Sequence, residues 1–252
     1  LRRFSDLRKD VSIVISCSSA SILKPEIASK LSGRRIDIEV WPFSFAEYLK
    51  AKEVEIGDPL LQFGGEQGIV NHYLMDYMQY GGFPEVVLER SEIRKLKYLQ
   101  SYFVDIIYRD IADRYTINVR KLKELARFLL ENIGNVIRPS RLSEYLDVSK
   151  PTIYDYLSYL EEAFLIFLVS PYSSSKERVA GMKKVYSIDT GLRNAISRTS
   201  RDIGRQAENL IFLKLRRHTD EVYYYRKEGV EIDFIARINN KLYAIESKIK
   251  LD

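Results

Sequence analysis

Cysteine is nearly absent from this sequence of 252 residues: Cys17 stands alone, which excludes an internal disulfide framework and fits a reducing compartment. With only two histidines, His72 and His218, the chain also lacks the ligands of a zinc finger. Long apolar runs are missing, and the longest, Ala163–Val169, is far short of the roughly 20 residues a membrane span needs. No basic, apolar, small-residue signal pattern opens the chain. These absences lead us to expect a cytoplasmic protein with no membrane partner. No GxxxxGK[ST] segment occurs, so nothing here can cradle the phosphates of a nucleotide. Nor does an apolar strand end in Asp-Asp or Asp-Glu to hold Mg2+; Val11–Ser16 ends in serine. Internal repeats and low-complexity tracts are absent as well.

What is present is the composition of a folded protein, 46% apolar and 30% charged, long enough for two domains or three small ones. Forty basic residues against thirty-five acidic leave +5, which permits nucleic acid as a partner without demanding it. Eighteen tyrosines lie mostly on apolar faces, where they pack. The chain starts at Leu1 without methionine and stops shortly after a strand with a catalytic pattern, so it reads as part of a longer protein.

Val11–Ser16 is a β-branched run of strand length, followed by Cys17-Ser18-Ser19 and a helical stretch over about 25–31. Ile36–Val40 reads as a second short strand, and the two suggest an α/β unit with a parallel sheet. From Ser44 to about Gly134 the periodicity is helical, with Phe45, Tyr48 and Leu49 on one face and Leu96, Leu99, Phe103 and Ile107 on another. Beyond it, Leu125, Phe128 and Leu129 mark one helix, and Ser140 or Ser143 is expected to cap a second. Pro151 begins a third, over Lys150–Phe164, which carries Ile153, Tyr156, Leu157 and Leu160 at helical spacing. Strand Leu165–Val169, a polar tip, and Val185–Ile188 complete the outline of a winged helix.

In a winged helix that bound DNA, the third helix would enter the major groove, with Lys150 and Thr152 at its start and Lys176, Arg178, Lys183 and Lys184 on the ribbon. Asp155 and Glu162 on the same helix repel phosphate, so a solvated hairpin in a protein-interaction module is an equal alternative.

The last stretch carries the most chemistry. A helix over Gly204–His218 precedes strands Val222–Arg226, Val230–Ile238 and Leu242–Ile249, broken at Glu228-Gly229 and Asn239-Asn240, both good turn dipeptides. Strand alternation puts Glu246 and Lys248 side by side, and Asp233 on the neighbouring strand can face them, with Glu208 added from the helix. Glu208, Asp233 and Glu246 are therefore expected metal ligands for Mg2+ or Mn2+. The metal would activate a water, with Lys248 steadying the developing charge. This arrangement resembles the PD-(D/E)xK nuclease-like fold, Asp233 matching its isolated aspartate and Glu246-Ser247-Lys248 its ExK element. The family's following helix and fourth strand have no counterpart in the sequence.

The N-terminal part is similar to the later half of an AAA+-type P-loop ATPase module. The resemblance rests on Leu31-Ser32-Gly33-Arg34-Arg35, Trp41–Leu49 and Tyr80-Gly81-Gly82-Phe83-Pro84-Glu85. It implies that Ser18 is the sensor residue at a strand end, that Arg34 belongs to the GR dipeptide, and that Gly82 and Pro84 form the GxP element of a helical lid near the adenine. It continues through the winged helix to the terminal E…EID…ESK pattern, the order found in a group of prokaryotic, notably archaeal, ATPases. In that family the phosphate loop and its acidic partner lie upstream of the segment matched here.

The expected fold is multidomain α/β and α+β. Residues 1–50 would be the remainder of the ATPase sheet, 51–120 the helical lid, 121–200 the winged helix and 201–252 an incomplete nuclease-like domain. The leading expectation is the C-terminal portion of an ATPase that uses ATP and Mg2+ in the intact protein and engages DNA, a protein partner or itself. A metal-dependent nuclease and a non-catalytic DNA-binding or adaptor protein are the alternatives.

Overall fold

The computed structural model describes residues 14, 16, 36–54, 65–172, 182–197 and 202–248. The first helix among the described residues, α1 (Phe45–Ala51), opens with a capping box: the Ser44 N–H donates to Glu47 at 2.7 Å and the Glu47 N–H to the Ser44 hydroxyl at 3.3 Å. Tyr48 and Leu49 are buried, as the spacing predicts, against Tyr77 of α2 (Gly65–Tyr80) and Val87 of α3 (Pro84–Leu88).

Of the expected parallel sheet little can be placed. The 11–16 strand, apart from Val14 and Ser16, and the helix after it lie outside the described residues. Ile36–Val40 forms no strand: Ile36, Ile38 and Val40 are more than three-quarters exposed. Alternating apolar and acidic residues suit a half-buried strand, but no described strand lies beside this one to complete its ladder.

Helix α4 (Glu92–Asp105) runs into a π-helical turn, Ile106–Ala112. Leu99, Phe103 and Ile107 are buried as expected, but Leu96 is partly exposed and Lys95 takes the inward position. Its Nζ sits 4.2 Å from the Tyr80 ring centre and 3.6 Å from Asp76, so the stem packs while the charge keeps partners.

The middle of the chain has the order α5 (Val119–Glu131), β1 (Val136–Ile137), α6 (Pro139–Leu146), α7 (Lys150–Glu162), β2 (Ile166–Val169), β3 (Lys183–Ser187). β3 lies between β1 and β2, antiparallel to both. The expected serine caps of α6 are replaced: Arg138 holds the cap position without a side-chain bond, and Pro139 starts the helix with a preset φ. Ser143 works at the other end, donating its hydroxyl to the Val148 carbonyl at 2.6 Å beside Asp147, whose φ of 49° ends the helix. Helix α7 begins where Pro151 predicts, capped by Ser149, and ends at Glu162 rather than Phe164. Its four apolar residues at helical spacing are all buried. One apolar cluster joins α4, α5, α6 and α7 with β3 and with α8 (Thr190–Ile196).

Helix α9 (Ile203–Arg216) then leads to a three-stranded meander, β4 (Val222–Lys227), β5 (Val230–Ile238) and β6 (Lys241–Ile245). Both turn dipeptides adopt positive φ at both positions, 51° and 83° at Glu228-Gly229 and 48° and 62° at Asn239-Asn240. These are the values that let two-residue turns follow strand twist. Phe212, Phe234 and Ala236 are buried in a second cluster with Tyr186 of β3. The two sheets also meet through backbone: the Tyr172 N–H donates to the Tyr224 carbonyl at 2.6 Å, and the Tyr224 N–H to Ser170 at 3.2 Å. Among the described residues no helix is long and apolar enough to cross a membrane.

Candidate functional site

The terminal unit gathers a polar cluster under β3. Lys184 and Tyr186, two apart on that central strand, point to one face. Lys184 is 2% exposed, and its Nζ lies 3.2 Å from Glu208 of α9, 3.2 Å from Glu231 and 3.6 Å from Asp233, both of β5. Each carboxylate has a second partner, a hydrogen-bond donor for Glu208 and Asp233 and an ion pair for Glu231. The Tyr186 hydroxyl donates to Glu208 at 2.7 Å, the backbone N–H and the hydroxyl of Ser247 both donate to Asp233 at 2.9 Å, and Arg226 stands 3.8 Å from Glu231. Burial works against the Lys184 ammonium, but Glu208 and Glu231 outweigh it, so its pKa stands above the ordinary lysine value. The Glu208 carboxyl is also raised, chiefly by burial, although Tyr186 and Lys184 pull it down. Three acids share one ammonium, so the lysine is overcompensated and the most enclosed acid is left short.

Two of the three expected metal ligands, Glu208 and Asp233, therefore do converge, but on a lysine. Glu246 and Lys248 are exposed and joined to neither of them by any ion pair among the described residues. The reason is local. The ladder ends at the Phe234–Ile245 pair, and past it Ser247 turns back to bind Asp233, so strand alternation no longer places Glu246 beside that acid. Among the described residues no three acids, histidines or cysteines are disposed to hold a metal ion, so the residues present do not fit the implied Mg2+ or Mn2+. Glu231, Tyr186 and Ser247 were missed from sequence. The first two follow from period 2, since Glu231 shares a face with Asp233 and Tyr186 with Lys184; the backbone turn at Ser247 left no sequence signal.

The ribbon residues separate. Lys184 is not at a tip facing solvent but inside the cluster just described, because β3 is the middle strand of its sheet. Lys183 beside it is half-buried, and Lys176 and Arg178 lie outside the described residues. On α7, Lys150 is exposed, whereas the Thr152 N–H and hydroxyl are both engaged with Ser149 in the helix cap. Glu162 is tied down by the Tyr115 hydroxyl at 2.8 Å, and Tyr159 stacks on Tyr115 with ring centres 3.8 Å apart.

The turn Tyr80–Pro84 has its own partner. Asp189, fully enclosed, accepts from the Gly82 N–H at 2.7 Å and from the Leu192 N–H at 2.9 Å, capping α8. Gly81 has φ +78°, and a Cβ there would lie about 2 Å from the Asp189 carboxylate. At Gly191 an added Cβ would meet the Tyr80 carbonyl at 2.0 Å. Thr190 and Asn194 bond the last carbonyls of α2. Burial raises the Asp189 carboxyl to about 6 against the pull of its backbone donors. The Gly82 amide and carbonyl are thus both occupied, the latter by the Phe43 N–H at 2.7 Å, and Pro84 starts α3. Both residues are therefore fixed by contacts within the chain. Ser18 and Arg34 lie outside the described residues.

Residues 1–49 match an AAA domain, which points to an ATPase-like family, and residues 203–251 match a domain of unknown function (DUF4143). The chain itself belongs to the family described as domain of unknown function (DUF8612), which matches residues 71–203, just over half of it. It is 33% identical to the uncharacterized protein MJ1544 of Methanocaldococcus jannaschii over 96% of this chain and 56% of that protein. It is also 33% identical to an uncharacterized protein of Haemophilus influenzae over 93% of this chain and 58% of that one. An uncharacterized protein of Mycobacterium tuberculosis, Rv2008c, is 24% identical over 67% of this chain and 41% of its own length. The chain thus spans little more than half the length of the first two of these relatives. Its relatives are bacterial as well as archaeal, so the archaeal leaning of the resemblance is too narrow. No solved structure matches.

Proposed function

We propose that this chain is the C-terminal portion of an ATPase whose middle unit is a winged helix that engages duplex DNA, and whose terminal unit is a nuclease-like fold that does not cut. The observation that carries the reading is the element order of the middle unit: helix, strand, helix, helix, and two strands, with the first strand paired to the last. That is the connectivity a winged helix requires. Support for the ATPase part is the AAA match over residues 1–49, directly before the helices that carry the glycine turn. In the intact protein ATP and Mg2+ would bind upstream residues. Here the Asp189 contact fastens the glycine turn to the helix after the ribbon.

The face of α7 offers Lys150, Tyr154 and Ser158 with Asp155 among them, so contact is expected to be largely with phosphate and weakly sequence-selective. The test uses the full-length protein. ATP hydrolysis should be measurable and should rise with duplex DNA, and DNA affinity should fall steeply with salt. An intact protein that hydrolyses ATP but binds no DNA at low salt would leave a protein-binding winged helix in its place. One that hydrolyses none would sink the ATPase reading.

A further inference from the structure

The carboxylate cluster of the terminal unit departs from a metal site in one measurable respect. Oxygen ligands stand about 2.0–2.1 Å from Mg2+ and 2.3–2.6 Å from Ca2+. Around the Lys184 nitrogen the acids stand at 3.2, 3.2 and 3.6 Å, the range of ammonium contacts, roughly 1 Å too far for a metal ion. They come from two elements of the terminal unit, α9 and β5, while the ammonium comes from β3 of the preceding sheet. Neutral donors, Tyr186 and Ser247, complete Glu208 and Asp233, while Arg226 stands 3.8 Å from Glu231 at the exposed edge.

We propose that Lys184 is the resident cation of this cluster, its ammonium filling the space that a hard metal ion takes among such acids, so that the cluster fastens the terminal unit to the ribbon and becomes a cation site only when the lysine is removed. The inference does not rest on the ATPase reading. It concerns side chains wholly within this chain. Without the lysine, three acids of like charge share one space, and a trivalent or divalent cation can draw them inward by the missing distance.

Tyr186, bonded to Glu208, supplies the readout, since a tyrosine at contact range sensitises Tb3+ emission. Tb3+ is titrated into the wild-type chain, Lys184→Ala, Lys184→Ala with Asp233→Asn, and Asp233→Asn alone, each checked by circular dichroism. Lys184→Ala should gain a saturable, tyrosine-sensitised signal that Asp233→Asn removes, while the wild type should not exceed Asp233→Asn alone. A wild-type signal lost in Asp233→Asn would overturn the proposal, because metal would then displace the lysine. A folded Lys184→Ala without the signal would overturn it equally. Should that variant fail to fold, the unfolding midpoint of the wild type with and without Mn2+ decides: no shift is expected, and a rise that Asp233→Asn abolishes contradicts the proposal.

Discussion

Lys184 and Asp189 lie five residues apart, at the start of β3 and at the cap of α8, and both are almost wholly enclosed, yet different partners satisfy them. Asp189 is held by backbone N–H groups of Gly82 and Leu192, which carry no net charge and are fixed by the path of the chain. Lys184 is held by three acidic side chains whose charges exceed its own. The contrast shows in the titrations. The carboxylate among neutral donors is raised to about 6 because burial dominates, whereas the ammonium among acids is held charged despite its burial. One network therefore fixes geometry, and the other depends on charge balance.

The sharpest way to separate them is to unbalance the charged one. Lys184→Met should destabilise the chain by about 4 kcal/mol, because it strands buried acids. Adding Glu208→Gln should recover part of the loss, so the double variant falls short of the sum of the two single ones. Urea unfolding of the four proteins measures this, and strict additivity would mean that Lys184 contributes packing alone.

Asp189→Ala should cost about 3 kcal/mol by leaving the Gly82 and Leu192 N–H groups buried without acceptors. The loss should appear as faster hydrogen exchange at Tyr80–Pro84 and at the start of α8, with β4–β6 little affected.

The pH dependence sharpens the comparison further. Because the folded-state pKa of Asp189 is raised from 3.8 to about 6, its contribution to stability is fully present below about pH 4 and is lost as pH rises through 6. The stability of the wild type relative to Asp189→Asn should therefore fall by about 3 kcal/mol between pH 4 and pH 7. A difference that grows with pH would reverse the assignment.

The smallest effect belongs outside both networks. Gly229 has φ +83° with open space around it, so Gly229→Ala should cost only the strain of a left-handed residue, about 1 kcal/mol, read as a lower unfolding midpoint.

These two networks also mark where the sequence was and was not legible. Period and turn chemistry were enough for the buried face of α7, for its start at Pro151, and for both hairpin turns of the terminal meander, since each depends on residues close together in the chain. The same rules brought Glu208 and Asp233 forward as a pair that meets. They failed where long-range placement decides. Lys184 looks like a ribbon charge until β3 is known to be the central strand. Asp189 binds Gly82, 107 residues away, a partner no local rule supplies. Glu246 looks paired with Asp233 until the ladder stops one residue short. Ile36–Val40 has the alternation of a strand, but pairing, not pattern, makes one.

The central claim, that the acids of the terminal unit are closed by a lysine and do not cut nucleic acid, is tested most directly by incubating the chain with single-stranded and duplex DNA in Mg2+ and in Mn2+. The account predicts intact DNA in every lane. Metal-dependent cleavage that disappears in Asp233→Ala would contradict it.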